Sequence, residues 1–372
     1  MLLPSLSKAS EWSATPQLSA HGDYWDNPRL VYGGGNTVEG ITAELSAAIA
    51  RRTESSEIDI SPSIRVRRYS GEDHLDGTDD SLRIFAKKLN ELTTWMASGT
   101  ALRDSTLTSE LGTTGITQVN KRRDYFDLSL SPTFQVTERS KLSVSLSGLS
   151  VQYEDNNAFT GLLDYKYASA SITGTRDLSE RSQLAIAISA GRNFVPDAPF
   201  NEMKNYNATL QYIYQWDPTW SVILWAGPSR VTSESSSENG QIYGGSLHHQ
   251  GELFTIDGSA ERNTRPTGSG VIEQVDVVTL TDSLRIAERL SGGIGVSYTR
   301  SQESARVIQF RPPGVRYVHV DANLTWQWTE RLNVTLSAGR NTQRSDFQGQ
   351  QAEGYIVSLG FNWTGIPKVF WH

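Results

Sequence analysis

The stretch Tyr355 to Trp363 reads Y-I-V-S-L-G-F-N-W, and its spacing constrains the fold more than any other feature of the chain. Tyr355, Val357, Leu359, Phe361 and Trp363 fall on one face of a strand, and Ser358, Gly360 and Asn362 on the other. That is the two-residue period of a β-strand with one apolar side. A soluble sheet can use the pattern once or twice. Here it returns along the whole chain and leaves little apolar sequence from which a separate core could be built.

Three further segments show the unit. Tyr206, Ala208, Leu210, Tyr212, Tyr214 and Trp216 alternate with polar residues before Asp217-Pro218 turns the chain into Trp220 to Trp225. Val318, Val320, Ala322, Leu324, Trp326 and Trp328 alternate likewise before Thr329-Glu330-Arg331, and Phe126 to Val136 does so before Thr137-Glu138-Arg139. The Glu-Arg turn recurs at Ser179-Glu180-Arg181 and Ala287-Glu288-Arg289, and Leu184 to Asn193 is echoed by Leu332 to Asn341. A hairpin repeat of roughly 40 residues therefore runs through the chain. A propeller blade of that period needs four short strands, whereas two long ones fill it here, so the reading is a barrel.

Composition agrees. Only 37% of the 372 residues are hydrophobic and the mean hydropathy is −0.42, and no window approaches about 18 consecutive apolar residues, which excludes helical spans. A barrel strand needs apolar side chains only at every second position. The sequence thus predicts an all-β, transmembrane, antiparallel up-and-down β-barrel of about 18 strands, with 16 as the alternative, in a bacterial outer membrane. Strands of roughly 10 to 14 residues suit a tilted crossing of that bilayer. The barrel is expected over residues 15–364, between a polar periplasmic lead at 1–14 and a short C-terminal extension at 365–372, with Tyr355 to Trp363 closing it. Met1-Leu2-Leu3-Pro4 is not a charged region followed by an apolar one, which points to a mature or truncated sequence. From Gly270 to Leu284 the alternation fails and the register is left open.

The Glu-Arg turns are short, but the alternate connections are long: Trp25 to Asn36, Gly71 to Asp80, Asp104 to Lys121, Pro196 to Lys204, Ser233 to Gly240, Gln302 to Gly314 and Thr342 to Glu353. Short periplasmic turns with long outer loops are the usual asymmetry of such barrels. It sets Trp216, Trp220, Trp326, Trp328 and Trp363 at the periplasmic girdle.

Three loop segments go beyond the generic pattern. Tyr24-Trp25-Asp26-Asn27-Pro28-Arg29-Leu30, Arg103 to Leu111 with Thr114-Gly115, and Gly161-Leu162-Leu163-Asp164-Tyr165 resemble segments of a family of outer-membrane barrels. That family accompanies exopolysaccharide synthesis and exosortase-type (PEP-CTERM) surface systems. The resemblance implies a porin for an exported polysaccharide, working with a periplasmic polysaccharide export protein, and it supplies no catalytic residues.

If the apolar faces meet lipid, the opposite faces line the lumen. Arg65, Arg67, Arg83, Lys87 and Arg123 then gather on one wall, suited to an anionic polymer, with Glu44, Asp59 and Asp127 partly neutralising them. Tyr165 and Tyr167, above a run of Ser and Thr, form either a sugar-stacking track or a filler between loops. The Asp104–Lys121 loop either folds inward as a constriction or covers the mouth. Arg103, Arg122, Arg192 and Arg340 lie near the outer rim, where a guanidinium suits lipopolysaccharide phosphates.

Enzymatic and metal readings are poorly supported. Cys is absent, so disulfides, thiolate metal sites and cysteine nucleophiles are excluded. His319 and Asp321 share a lumenal face but lack a defined third partner. His248 and His249 point to opposite faces of a strand, and the six His show no paired ligand spacing. No cofactor is expected, and a net charge of −7 spread along the chain points away from nucleic acid. The expected function is a polysaccharide conduit. The alternatives are a structural or adhesive barrel with a blocked lumen and a diffusion porin for small solutes.

Overall fold

The computed structural model describes residues 11–71, 75–109, 120–154, 162–196, 202–234, 236–303, 314–345 and 350–371. The chain is a single antiparallel meander. It begins with β1 (Glu11–Asp26), β2 (Thr37–Arg52), β3 (Ser56–Ser70), β4 (Gly77–Leu89), β5 (Thr93–Ser105) and the one-turn α1 (Thr106–Ser109). It continues through β6 (Arg122–Thr137), β7 (Ser140–Tyr153), β8 (Tyr165–Ser179), β9 (Ser182–Phe194), β10 (Glu202–Gln215), β11 (Trp220–Ser233) and β12 (Ser237–Gln250). β13 (Phe254–Pro266), β14 (Ile272–Ala287), β15 (Leu290–Glu303), β16 (Val315–Thr329), β17 (Leu332–Ser345) and β18 (Gln351–Thr364) complete the wall.

β1 pairs with β2 on one side and with β18 on the other, so eighteen strands close the barrel and no edge is left open. The expected strand number and the closing role of Tyr355 to Trp363 both hold. A short β19 (Lys368–Trp371) prolongs the closure along Glu11 to Ala14. β1 therefore begins at Glu11, inside the stretch expected as the lead, and residues 1–10 lie outside those described.

Register follows from the apolar positions. Leu210 stands across from Ile186 on β9 and Ala226 on β11, and Leu336 across from Leu324 and Leu359. All four leucines are exposed on the outside, where an apolar side chain is stable only against lipid. Trp216, Trp326, Trp328 and Trp363 are exposed at the short-turn end, where the interfacial girdle was expected.

Short connections of two to four residues lie at that end together with the first and last strand ends. The Glu-Arg turns have a common construction. Each follows a register shift in the strand before it, at Gln135/Thr137, Asp177/Ser179, Arg285/Ala287 and Gln327/Thr329. In three of them the Thr or Ser hydroxyl accepts from the Arg amide two residues on, at 3.3 Å in Thr137, 3.2 Å in Ser179 and 3.2 Å in Thr329. An extra residue with a self-satisfying turn explains why the same tripeptide recurs.

Two boundaries differ from expectation. The strands run 13 to 16 residues, so their outer ends reach into stretches expected as loops. Strands of this length exceed the roughly 9–11 residues that a tilted crossing needs, so the wall continues past the apolar belt. The unassigned register of Gly270 to Leu284 resolves as β14, with Gln274, Asp276, Val278 and Leu280 outward and Glu273, Val275 and Val277 inward. The alternation fails because Val275 and Val277 put apolar side chains on the inner face beside Val278 and Leu280 on the outer one.

Candidate functional site

The lumenal faces change character with height. Near the outer mouth they are apolar and covered. Tyr153, Tyr165, Met203 and Val231, all inward on the wall, are buried together with Leu162, Val195, Val271 and Ile272. Ile272 is the first residue of β14, and Val271 arrives with the connection 267–271 between β13 and β14. This short strap leaves the wall and lies across the inside of the mouth against β8 to β10. The Leu163 amide donates to the Gly268 carbonyl at 2.8 Å and the Asn193 side-chain amide to the Gly270 carbonyl at 2.9 Å. Gly270 holds φ +79°, and a Cβ there would meet Leu163 at 3.0 Å, so the turn requires glycine. Thr267 and Ser269 hydroxyls donate to the buried Glu273 carboxylate at 3.1 and 3.0 Å, tying the strap to its own stem.

Two further clusters continue this collar. Val38 and Tyr69, inward on β2 and β3, bury Leu75 and Leu107, the latter from α1, with Trp25 packed alongside. The remainder of the Asp104–Lys121 loop, 110–119, lies outside the described residues. Leu30 is buried with Tyr317 and Ala352, bringing the β1–β2 loop onto β16 and β18. Asn27 fixes that loop by donating to the Val31 and Glu353 carbonyls at 3.1 and 2.8 Å and accepting from the Val31 amide at 2.8 Å. Burial pushes the Tyr32 hydroxyl above its usual pKa, outweighing its hydrogen bonds to Ser345 and Gln343. The segments containing Trp25 and Leu30, Leu107, and Leu162 to Tyr165 are the ones that carry the family resemblance. All three build the collar.

Below the collar the lumen is charged. Arg65, Arg67, Arg83, Lys87, Arg123 and Asp127 do share the inner face of β3, β4 and β6. Most of the wall is internally neutralised. Arg67 meets Asp79 at 2.9 Å with both side chains nearly enclosed, at 7% and 11% exposure. Arg123 makes two bonds of 2.9 Å to Asp104, and Arg65 reaches Glu44 at 2.7 Å. Arg52 joins Glu57 and Asp59 at 2.8 Å each, and Lys87 stands directly across from Glu57. Arg83 is exposed and has no ion-pair partner among the described residues.

Across the lumen, His319 reaches Asp321 at 3.2 Å and shares Asn341 Oδ1 with the Tyr317 hydroxyl, at 2.6 and 2.8 Å. His248 faces Asp257 at 2.6 Å, whereas His249 turns outward between Trp220 and Phe254, with ring centroids 4.1 and 4.6 Å away. The two histidines serve opposite faces, as their adjacency on a strand requires.

The third level is a belt of short hydroxyl side chains. Cross-strand pairs run through Ser63–Ser81, Ser98–Ser129, Ser131–Ser145 and Ser147–Ser169 at 2.6 to 3.1 Å, and on the other side through Ser259–Thr279 and Thr325–Thr335. Such residues satisfy one another, project little and leave the bore open to water. Tyr165, in contrast, is covered by the collar, and the Tyr167 hydroxyl donates to Asn205 at 3.1 Å. Both rings fill space between loops.

Comparison with known proteins agrees with this architecture. The crystal structure of Acinetobacter baumannii OccAB4 aligns with a TM-score of 0.51 and 9% identity, covering 99% of this chain and 100% of that one. Pseudomonas aeruginosa OccK2 (OpdF) aligns with a TM-score of 0.50 and 10% identity, covering 94% and 98%. At these identities the likeness is one of fold. No protein-family profile matches the chain, and no curated protein matches it in sequence. The chain is a closed 18-strand β-barrel of the bacterial outer membrane, sharing its fold with these two proteins.

Proposed function

We propose that this barrel is a passive channel for small hydrophilic solutes, in which the collar sets the size of what enters and the charged level sets the ionic preference. The observation that carries the reading is the strap, held across the inside of the mouth by Asn193 and Leu163 above a hydroxyl-lined bore. A narrow mouth over a wide, wet lumen selects by size first and by field second. Solutes then pass Arg65, Arg67, Arg83, Lys87, Arg123, Asp127, His319 and Asp321, while Tyr165 and Tyr167 hold the strap. Single-channel recording in planar bilayers tests this. Steady conductance that falls in the presence of mono- and disaccharides but not of long oligosaccharides is expected. A closed barrel with no conductance would sink the proposal in favour of a structural or adhesive role.

A second reading is a conduit for an exported exopolysaccharide, served by a periplasmic export protein. The long hydroxyl rows and the resemblance carried by the collar segments favour it, and it requires the strap to swing aside. Translocation of a long anionic oligosaccharide from the periplasmic side through the wild-type channel would select this reading over the first.

A further inference from the structure

Resting on the channel reading above, we propose that the strap is a proton-operated closure with the Glu273 carboxyl as its sensor. Acid holds the strap across the mouth, and rising pH releases it.

Glu273 is the second residue of β14 and sits above the apolar belt that Val278 and Leu280 begin on the outer face. A carboxyl at 5% exposure is kept only where donors surround it. Thr267 and Ser269 donate to the same oxygen, Oε1, at 3.1 and 3.0 Å, and the buried Ser301 adds a further bond from β15. Two of these three groups belong to the strap. The cover that keeps water from the carboxyl is therefore the part that can move.

The surroundings set how the carboxyl titrates. Its ladder partners are Arg265 on β13 and Glu303 on β15, one basic and one acidic. On the far side of the strap, Asn193 of β9 bonds Gly270, and the Ile272 amide lies 3.4 Å from Met203 Sδ of β10. The phenols Tyr153 and Tyr165 share the apolar cluster of Val271 and Ile272, and Asp164 is committed to the Tyr153 amide at 2.8 Å. Burial pushes the Glu273 carboxyl above its usual pKa, and the three hydroxyls and the Arg265 charge offset only part of that.

The sign of the response follows from where the strap lies. Across the mouth, the strap leaves the carboxyl dry; lifted away, it exposes the carboxyl to water and to its ordinary value, about 4.3. The closed form thus binds the proton more tightly. Closure is strongest below about pH 4.3 and weakens by up to about tenfold per pH unit until the pH passes the closed-form value. Both protonation states find partners, because hydroxyls can donate or accept. The Thr267 oxygen lies 2.7 Å from the Ser269 oxygen and 3.3 Å from the Val271 carbonyl. When protonated, the carboxyl donates to one hydroxyl, and Thr267 turns its own hydrogen to Val271.

The test is hydrogen exchange of the strap amides in the full barrel in detergent, at about pH 5 and about pH 7, with each rate divided by the intrinsic rate at that pH. Single-channel conductance is recorded alongside. In wild type, protection is expected to be severalfold higher in acid, with lower conductance. Glu273→Gln, neutral at every pH, is expected to keep the strap protected at both. If that variant fails to fold, Ser269→Ala decides: losing a donor to the ionised carboxyl should move the midpoint of closure to higher pH. Wild-type protection independent of pH, protection in Glu273→Gln that still follows pH, or an unmoved midpoint in Ser269→Ala would each overturn the sensor. Protection that follows pH through Glu273 while conductance stays constant would support the switch and overturn the strap as the filter of the channel.

Discussion

The Asn193 side chain on β9 donates to the Gly270 carbonyl at 2.9 Å, joining the wall to a strap whose stem, β13, stands four strands away. Asn193 is fully buried, and the strap carries Val271 and Ile272 with it. The bond crosses the inside of the mouth, so its loss affects the opening and not the wall.

Asn193→Ala removes this donor and leaves the Gly270 carbonyl unpaired, at a cost of about 1–3 kcal/mol to the closed strap. The wall ladders on either side of β9 stay intact. The expected outcome is a folded barrel with higher or more frequently interrupted single-channel conductance. Conductance identical to wild type would show that the strap does not limit passage.

Arg83→Glu is expected to move ion selectivity toward cations more than Arg65→Glu does. Arg83 is exposed to the lumen without an ion-pair partner among the described residues, whereas Arg65 is already balanced by Glu44 at 2.7 Å. Lumen changes are tolerated by the fold, so reversal potentials in a salt gradient read the field directly. Equal shifts from the two variants would contradict the balance described for Arg65.

Asp79→Ala leaves the Arg67 guanidinium enclosed without its counter-charge. Breaking one side of such a pair costs about 3–5 kcal/mol. Arg67 also sits directly beneath the collar residue Tyr69 on the same face of β3. A lowered unfolding temperature is expected, and the double change Arg67→Met/Asp79→Leu should recover much of it because no charge is left buried.

Asp217 closes the β10–β11 turn by accepting from the Thr219 amide and hydroxyl at 2.7 Å each and from the Trp220 amide at 3.0 Å. The hydrogen bonds from Thr219 hold its carboxyl below the usual pKa. A carboxyl depressed in the folded state contributes stability above its unfolded pKa, about 3.9, and loses it as pH falls through the folded value. Asp217→Ala should therefore unfold more readily than wild type at neutral pH, and the difference should shrink in acid. A difference constant with pH would mean that the turn does not depend on the ionised carboxylate.

What the sequence made legible divides along the faces of the strands. Leu210, Leu336 and their neighbours had to meet lipid, so the outward pattern was regular and the barrel followed from it. Glu44 was recognisable as a counter-charge because it lies in a regular strand. Asp79 and Asp104 were not, because both fell in stretches assigned to loops that are in fact the tall outer ends of β4 and β5. The strap escaped notice for a related reason. It is only five residues long, and Val275 and Val277 turn apolar side chains inward where a lumenal strand was expected to be polar. Apolar character on both faces was the available signal, and it marks the place where the wall is covered from within.

The outward assignment is tested most sharply at Leu210. It is exposed near the middle of β10, across from Ile186 and Ala226, with the outward Tyr206 and Tyr214 four residues to either side. Leu210→Arg places a charge in the lipid belt at a cost of about 2–4 kcal/mol near the midplane. Thr209, its neighbour in sequence, faces the lumen across from Ala187, so Thr209→Arg changes the same strand by the same residue type at almost no cost to insertion. Reduced yield of heat-modifiable barrel in the first variant and a normal yield in the second are expected. The reverse result would invert every face described for β8 to β11 and place the hydroxyl rows against lipid.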